Sequence, residues 1–428
     1  MVSLISMLHM VISNDDLESA IPDQESAMNA RLQRLLGDNI PYASVFAHGM
    51  GQSMVFALLP ALGREIGLTE VMIGSIISMS SLVFFIASRA WGRLSDRIGR
   101  KPVILIGLWG YSVGTLVFTL LFGLGMHGVL GGTLLYMLIM LTRMAQSVVM
   151  SGTAPATSAY IADITTTETR ASGMGRLAAA SNIGSILGPA VAGTLAVLGL
   201  LSPLAFASLI TIVAALLIRS HLPDTGARTT RHGPAVKLRL RDPRFRALLL
   251  LGMAAFSAFA IVQQTLAFRI QDTLMLDTRA TARTYGYTMM ILAGASLFSQ
   301  SLIVQRLKPP PLLLLRIGLP LLMLAFALLT PADTVAAFSL TMALMGFALG
   351  LCGPGFNAAV SLAVSASEQG AAAGIATAIP ALGFILGPVA GTWLYQYDPH
   401  YPYLMTTLML LPASIGALHM RTHVHTET

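Results

Sequence analysis

Ten consecutive residues, Gly92-Arg93-Leu94-Ser95-Asp96-Arg97-Ile98-Gly99-Arg100-Lys101, pack five charges between two long apolar runs. A carboxylate so placed can hold a guanidinium or the positive end of a facing helix, and such a bond can be broken and remade. Asp96, Arg97 and Arg100 are the groups able to form it, and Gly92 and Gly99 let the chain approach a neighbour and reverse direction. A second latch candidate is Asp163, followed by Arg170. Arg143 lies 11 residues beyond Gly132 in an apolar run, about 16 Å along a helix, with Gln146 three residues on and on the same face. A guanidinium at that depth costs roughly 2.5–3.5 kcal/mol and needs a partner or a cavity. His48 is the deepest titratable group besides Arg143, and an imidazole titrates near pH 6.5.

These groups sit in a chain that is 55% apolar and only 11% charged. Soluble domains carry about 25% charged residues. A helix needs about 20 apolar residues to cross a bilayer. Twelve such runs fit, at 42–63, 70–91, 101–124, 132–162, 171–197, 201–219, 246–271, 282–304, 310–330, 334–363, 371–396 and 401–420. The short alternating segments of a membrane barrel are absent, so the expected fold is an all-α polytopic membrane protein of twelve helices. Residues 1–40 read as a polar tail holding a short amphipathic helix near 27–36, 41–220 and 246–420 as two six-helix halves, 221–245 as a basic linker and 421–428 as a second tail.

Charge sets the expected orientation. The turn after the second run carries Arg93, Arg97, Arg100 and Lys101, and the linker region carries Arg219, Arg228, Arg231, Lys237, Arg239, Arg241, Arg244 and Arg246. The other face carries Arg64, Arg279 and Arg283. By the positive-inside rule both termini are cytoplasmic. The formal charge of +7 is therefore one of topology and lipid contact, with no nucleic-acid partner implied.

The halves repeat. A shift of 199 residues superposes Pro155 on Pro354, Gly175 on Gly374, Gly184 on Gly383, and Ile186-Leu187-Gly188-Pro189 on Ile385-Leu386-Gly387-Pro388. Ordered Gly and Pro at constant spacing mark two pseudo-symmetric halves. The counterpart of the charged turn, Gln305-Arg306-Leu307-Lys308, has lost the acid and the glycines.

The charged turn resembles the signature loop of the major facilitator superfamily of secondary transporters. Arg143-x-x-Gln146 is similar to the fourth-helix motif of its drug/proton antiporters, with Ser147 where glycine is usual. Gly184-x-x-x-Gly188-Pro189-x-x-x-Gly193 is similar to their fifth-helix motif, with Ala192 where glycine is preferred. Ala159-Tyr160-Ile161-Ala162-Asp163 resembles the tetracycline-efflux branch. The resemblance implies gating by Asp96, Arg97, Arg100 and Asp163. It implies a central cavity lined by helices 1, 4, 7 and 10, with Gln52, Arg143, Gln146, Gln263, Gln264 and Asn357 as substrate contacts. Such transporters commonly carry the proton on a membrane-embedded carboxylate, whereas no Asp or Glu falls near the middle of any span here. His48 and, more peripherally, Asp163, Asp272 and Glu65 are then the proton-coupling candidates. The expected protein is not an enzyme and needs no cofactor or metal. It is a bacterial inner-membrane monomer whose partners are protons, the bilayer and a small amphipathic or anionic molecule, drug or siderophore-like, exported by antiport. The alternative is a proton-coupled importer or facilitator of sugars or organic acids. No Gly-rich nucleotide loop suggests a primary pump.

Overall fold

The computed structural model describes residues 24–166, 169–223, 243–364 and 368–420. Most of the expected linker, the first 23 residues and the last eight lie outside the described residues. Every described regular element is helical. The helices are α1 (Gln24–Glu65), α2 (Glu70–Ile98), α3 (Arg100–Met126), α4 (Gly132–Ile164), α5 (Arg170–Leu195) and α6 (Ser202–His221) in the first half. The second half holds α7 (Pro243–Leu274), α8 (Thr278–Leu307), α9 (Pro311–Leu329), α10 (Val335–Leu362), α11 (Gln369–Tyr395) and α12 (Tyr401–His419).

Eleven of these carry described stretches long and apolar enough to cross a bilayer. The other is α5, whose sequence is thinned by Gly, Ser and Asn182. Its small residues serve packing. A Cβ on Gly184 would lie 2.3 Å from the Phe46 carbonyl oxygen, and one on Gly188 only 1.9 Å from Ser53 Oγ. The backbones of α5 and α1 thus touch where the fifth-helix motif runs. The repeat partners Gly383 and Gly387 bring α11 against α7 at Phe256, Ser257 and Ala260 in the same manner.

The helix ends follow local chemistry. Thr69, Asp277 and Thr334 cap α2, α8 and α10, their side chains accepting from Met72 N, Ala280 N and Ala337 N. All three caps lie at one end of the bundle. At the other end α2 passes to α3 through the single residue Gly99, at φ 95° and ψ 159°, a conformation that disfavours any side chain.

Three differences from the sequence reading have physical causes. The tail helix expected near 27–36 is not a separate element; it runs unbroken into α1, with Pro41 inside it. The charged segment is not a loop from Gly92 onward, because α2 continues to Ile98 and only Gly99 turns. A Cβ at Gly92 would meet nothing within 4 Å, so no helix approaches closely there.

Candidate substrate path and gates

Arg143 is wholly buried. Its Nη2 donates to Gln52 Oε1 of α1 at 2.8 Å, its Nη1 to Gln146 Oε1, and its Nε has no partner. Gln146 in turn donates from Nε2 to the Tyr111 carbonyl and to Thr115 Oγ1 of α3, each at 2.8 Å. Helical spacing brings Arg143 and Gln146 together, and Gly114 makes room for the glutamine on α3, where a Cβ would sit 2.5 Å from its Cγ. Gln146 and Gln52 together thus tie the guanidinium to three helices, α4, α3 and α1. The guanidinium carbon stands 5.6 Å from the centre of the Phe56 ring. Phe56 stacks on Phe384 of α11 at 5.9 Å, and Phe259 of α7 meets Phe384 edge-on at 6.2 Å. An aromatic layer shared by both halves therefore lies directly beside the buried cation, and a cation beside a ring face is stabilised by the ring quadrupole.

His48 is buried one turn before Gln52, edge-on to Tyr111 at 5.6 Å and stacked with Phe84 at 6.3 Å. Its Nδ1 has no hydrogen-bond partner. On α7, Gln263 and Gln264 are both buried. Both amide atoms of Gln264 and Oε1 of Gln263 lack partners. Asn357 on α10 is exposed.

At the charged-turn end, Arg100 is the hub. It is buried and reaches Asp96 Oδ1 with Nη1 at 2.5 Å, Ser95 Oγ with Nη1 at 2.8 Å, and Asp163 Oδ2 with Nε at 3.1 Å. The one-residue turn at Gly99 folds α3 back so that Arg100 faces α2, and the end of α4 supplies Asp163. Arg97 is exposed and makes no hydrogen bond or ion pair to a described residue. All members of this cluster belong to the first half.

The opposite end carries a cluster that the sequence reading did not assemble. Arg64, near the end of α1, donates to both carboxylate oxygens of Asp272 on α7, at 2.6 and 2.9 Å, and to Gln271 Oε1 at 3.1 Å. It also holds Glu70 of α2 at 2.6 Å. Tyr395 of α11 donates to Asp272 Oδ2 at 2.7 Å, and the Phe268 ring lies 4.5 Å from the guanidinium carbon. Thr278 of α8 bonds the Glu65 carboxylate. Around this network the halves touch by backbone: a Cβ on Gly193 of α5 would lie 2.7 Å from Gly286 Cα of α8. On the pseudo-symmetric side, Val389 N of α11 donates to Ser78 Oγ of α2 at 3.2 Å. Gly193 of the fifth-helix motif is thus a contact between halves, while Gly184 and Gly188 pack within one.

Twelve helices in two matched sets, joined at one end around a buried central arginine, form a known architecture. The sequence pattern of the Major Facilitator Superfamily matches residues 42–388. The chain belongs to that superfamily. "Multidrug resistance protein 2" of Bacillus subtilis (strain 168) is 27% identical over 381 residues, covering 86% of this chain and 91% of that protein. The "Quinolone resistance protein NorA" of Staphylococcus aureus is 28% identical over 189 residues, 44% of this chain and 46% of that one. Among solved structures, the nucleoside transporter NupG superposes with a TM-score of 0.71 at 14% identity, covering 90% of this chain and all of the other; at that identity it shares the fold alone. The facilitator fold expected from the motifs is therefore present. The matches do not single out the tetracycline-efflux branch.

Proposed function

We propose that this facilitator-superfamily member exports a small amphipathic or anionic molecule, drug or siderophore-like, from a bacterial cytoplasm in exchange for protons. The observation that carries the reading is the arrangement of two ionic clusters at opposite ends of the bundle with Arg143 between them. The Arg64–Asp272 cluster ties the halves at the end away from the charged turn, which supports access to Arg143 from the charged-turn end. With both termini in the cytoplasm, as the basic segments imply, substrate enters from inside. Alternating access then requires the Arg64 cluster to part while the Asp96, Arg100 and Asp163 end closes.

The sequence relationship to multidrug- and quinolone-resistance proteins supports export over import. Arg143 supports an anionic or carbonyl-rich substrate, because a fixed guanidinium binds planar oxygen pairs well. Gln52, Gln263, Gln264 and Asn357 are the proposed neutral contacts, and Gln146 contributes by holding Arg143. His48 is the proposed proton carrier, with Asp163 the next candidate. The protein works as a monomer in the inner membrane.

The test is proton release from energised everted vesicles on adding candidate compounds. A substrate is expected to discharge the proton gradient, and uncoupler to abolish its accumulation. Accumulation that survives the uncoupler rejects proton drive.

A further inference from the structure

An open groove of about 560 Å³ runs along the outer surface of the first half. Ile106, Trp109, Gly110 and Val113 of α3 form one wall, Val149 of α4 the floor and Arg219 of α6 one rim. The α3 residues fall on one stripe about 10 Å long, the rise from Ile106 to Val113 seven positions on. Gly110 makes the groove, because its bare backbone packs on Val149, where a Cβ would meet Cγ1 at 2.2 Å. Ile106, Trp109 and Val113 are each more than a third exposed, so the groove is a face presented to the bilayer.

Its polar rim is distinctive. Arg219 is exposed and makes no hydrogen bond or ion pair to a described residue. It lies in the last turn of α6, the end that the basic segments orient toward the headgroups. One turn further, Lys101 Nζ donates to the Leu222 carbonyl at 2.6 Å, adding a second cation to the same corner. Among the described residues no acidic side chain lines the groove. Trp109 lies in the middle of the apolar stripe, at the depth of an acyl chain laid along it.

We propose that this groove is a binding site for one anionic glycerophospholipid, its acyl chain along Ile106–Val113 and its phosphate on Arg219. Two properties select this occupant. The apolar stripe needs a hydrocarbon chain, and the guanidinium at its rim, without a partner among the described residues, needs an anion; one molecule supplies both. The inference does not rest on the transport reading.

The test uses the full chain in phosphatidylcholine vesicles, with Trp91→Phe and Trp393→Phe leaving Trp109 as the reporter among the three tryptophans. Lipids brominated on the acyl chain quench a tryptophan that they touch. Brominated phosphatidylglycerol is expected to reach half-maximal quenching at about a fivefold lower mole fraction than brominated phosphatidylcholine, the ratio one surface cation provides. Arg219→Gln should bring the two curves together. Equal curves in the parent overturn the site, as does a preference that survives Arg219→Gln. Protection of Trp109 from both lipids also overturns it, because a second copy would then cover the groove. Trp91 Nε1 bonds the Val148 carbonyl at 2.6 Å, so its replacement could disturb α4. Native mass spectrometry on protein with all its tryptophans is the independent measurement. Arg219→Gln should lose one retained phosphatidylglycerol, and an unchanged count rejects the proposal.

Discussion

Arg64 and Asp272 stand 208 residues apart in the chain, yet the guanidinium of one holds both carboxylate oxygens of the other. The bond joins α1 to α7 and therefore one half to the other. Charge-assisted pairs of this form contribute about 1.5–3 kcal/mol. Arg64→Gln should therefore shift the equilibrium toward parting at this end by roughly 10- to 150-fold. The reporter is Phe384→Cys in a Cys352→Ser background, labelled by an impermeant maleimide from the side opposite the charged turn. Labelling should accelerate in Arg64→Gln; an unchanged rate removes the lock assignment.

Asp163 and Asp96 both bond Arg100 but should fail differently. Asp163 and Arg100 are nearly buried, so Asp163→Asn removes a charge-assisted bond and leaves Arg100 only the exposed Asp96 as countercharge, at a cost of about 1.5–3 kcal/mol. Lowered thermal stability should accompany its loss of transport. The Asp96 side chain is 56% exposed. Asp96→Asn should abolish transport while leaving stability and membrane abundance close to those of the parent. Normal transport by Asp96→Asn would end its gating role.

Arg143 is held by two glutamines at fixed angles. Arg143→Lys keeps the charge and loses the planar fork, so transport should fall even where the protein is abundant. Gln52→Leu strands Nη2 and should cost about 1–3 kcal/mol of stability. Unimpaired transport by Arg143→Ala would withdraw the residue from the substrate path.

His48 has an imidazole nitrogen without a partner, beside Tyr111. If it carries the coupling proton, His48→Gln should flatten the pH profile of export. Uncoupler-sensitive export with the wild-type profile would move the carrier to Asp163.

The turn from α11 to α12 offers a pH test outside the membrane spans. The backbone N–H of His400, and then its imidazole, hold the Asp398 carboxyl below the usual carboxylate range. A depressed carboxylate contributes stability above its unfolded pKa and loses it as pH falls through the folded value. Hydrogen exchange at residues 396–401, corrected for intrinsic rates, should stay slow at neutral pH and quicken in acid. Asp398→Asn should be fast throughout; a slow turn in that variant refutes the linkage.

The twelve helices were legible because each needs only a continuous apolar run, and Arg143–Gln146 because three residues of helix fix their meeting. The Arg64 cluster was not legible. In the sequence Arg64 reads as a topological charge and Asp272 and Glu65 as separate titratable groups, and only the meeting of α1, α2, α7 and α11 makes them a set. Gly92 shows the opposite failure. Glycine in a motif invites a close-contact reading, but contact belongs to the neighbour, which the local sequence does not contain. Gln146 was read as a free ligand group, whereas α3 occupies its amide through an acceptor chosen 31 residues away.

The Gly193–Gly286 contact has a mechanical consequence. Two bare backbones meet there, with no side chains to interlock. Such a junction can roll without lifting one row of knobs over another. On the proposed alternating access it would act as a smooth bearing, with the ions around Arg64 as the brake. Transport speed should then answer to the charges at that end and to the bulk at these two glycines independently: weakening the ions releases the brake, while adding a methyl roughens the bearing.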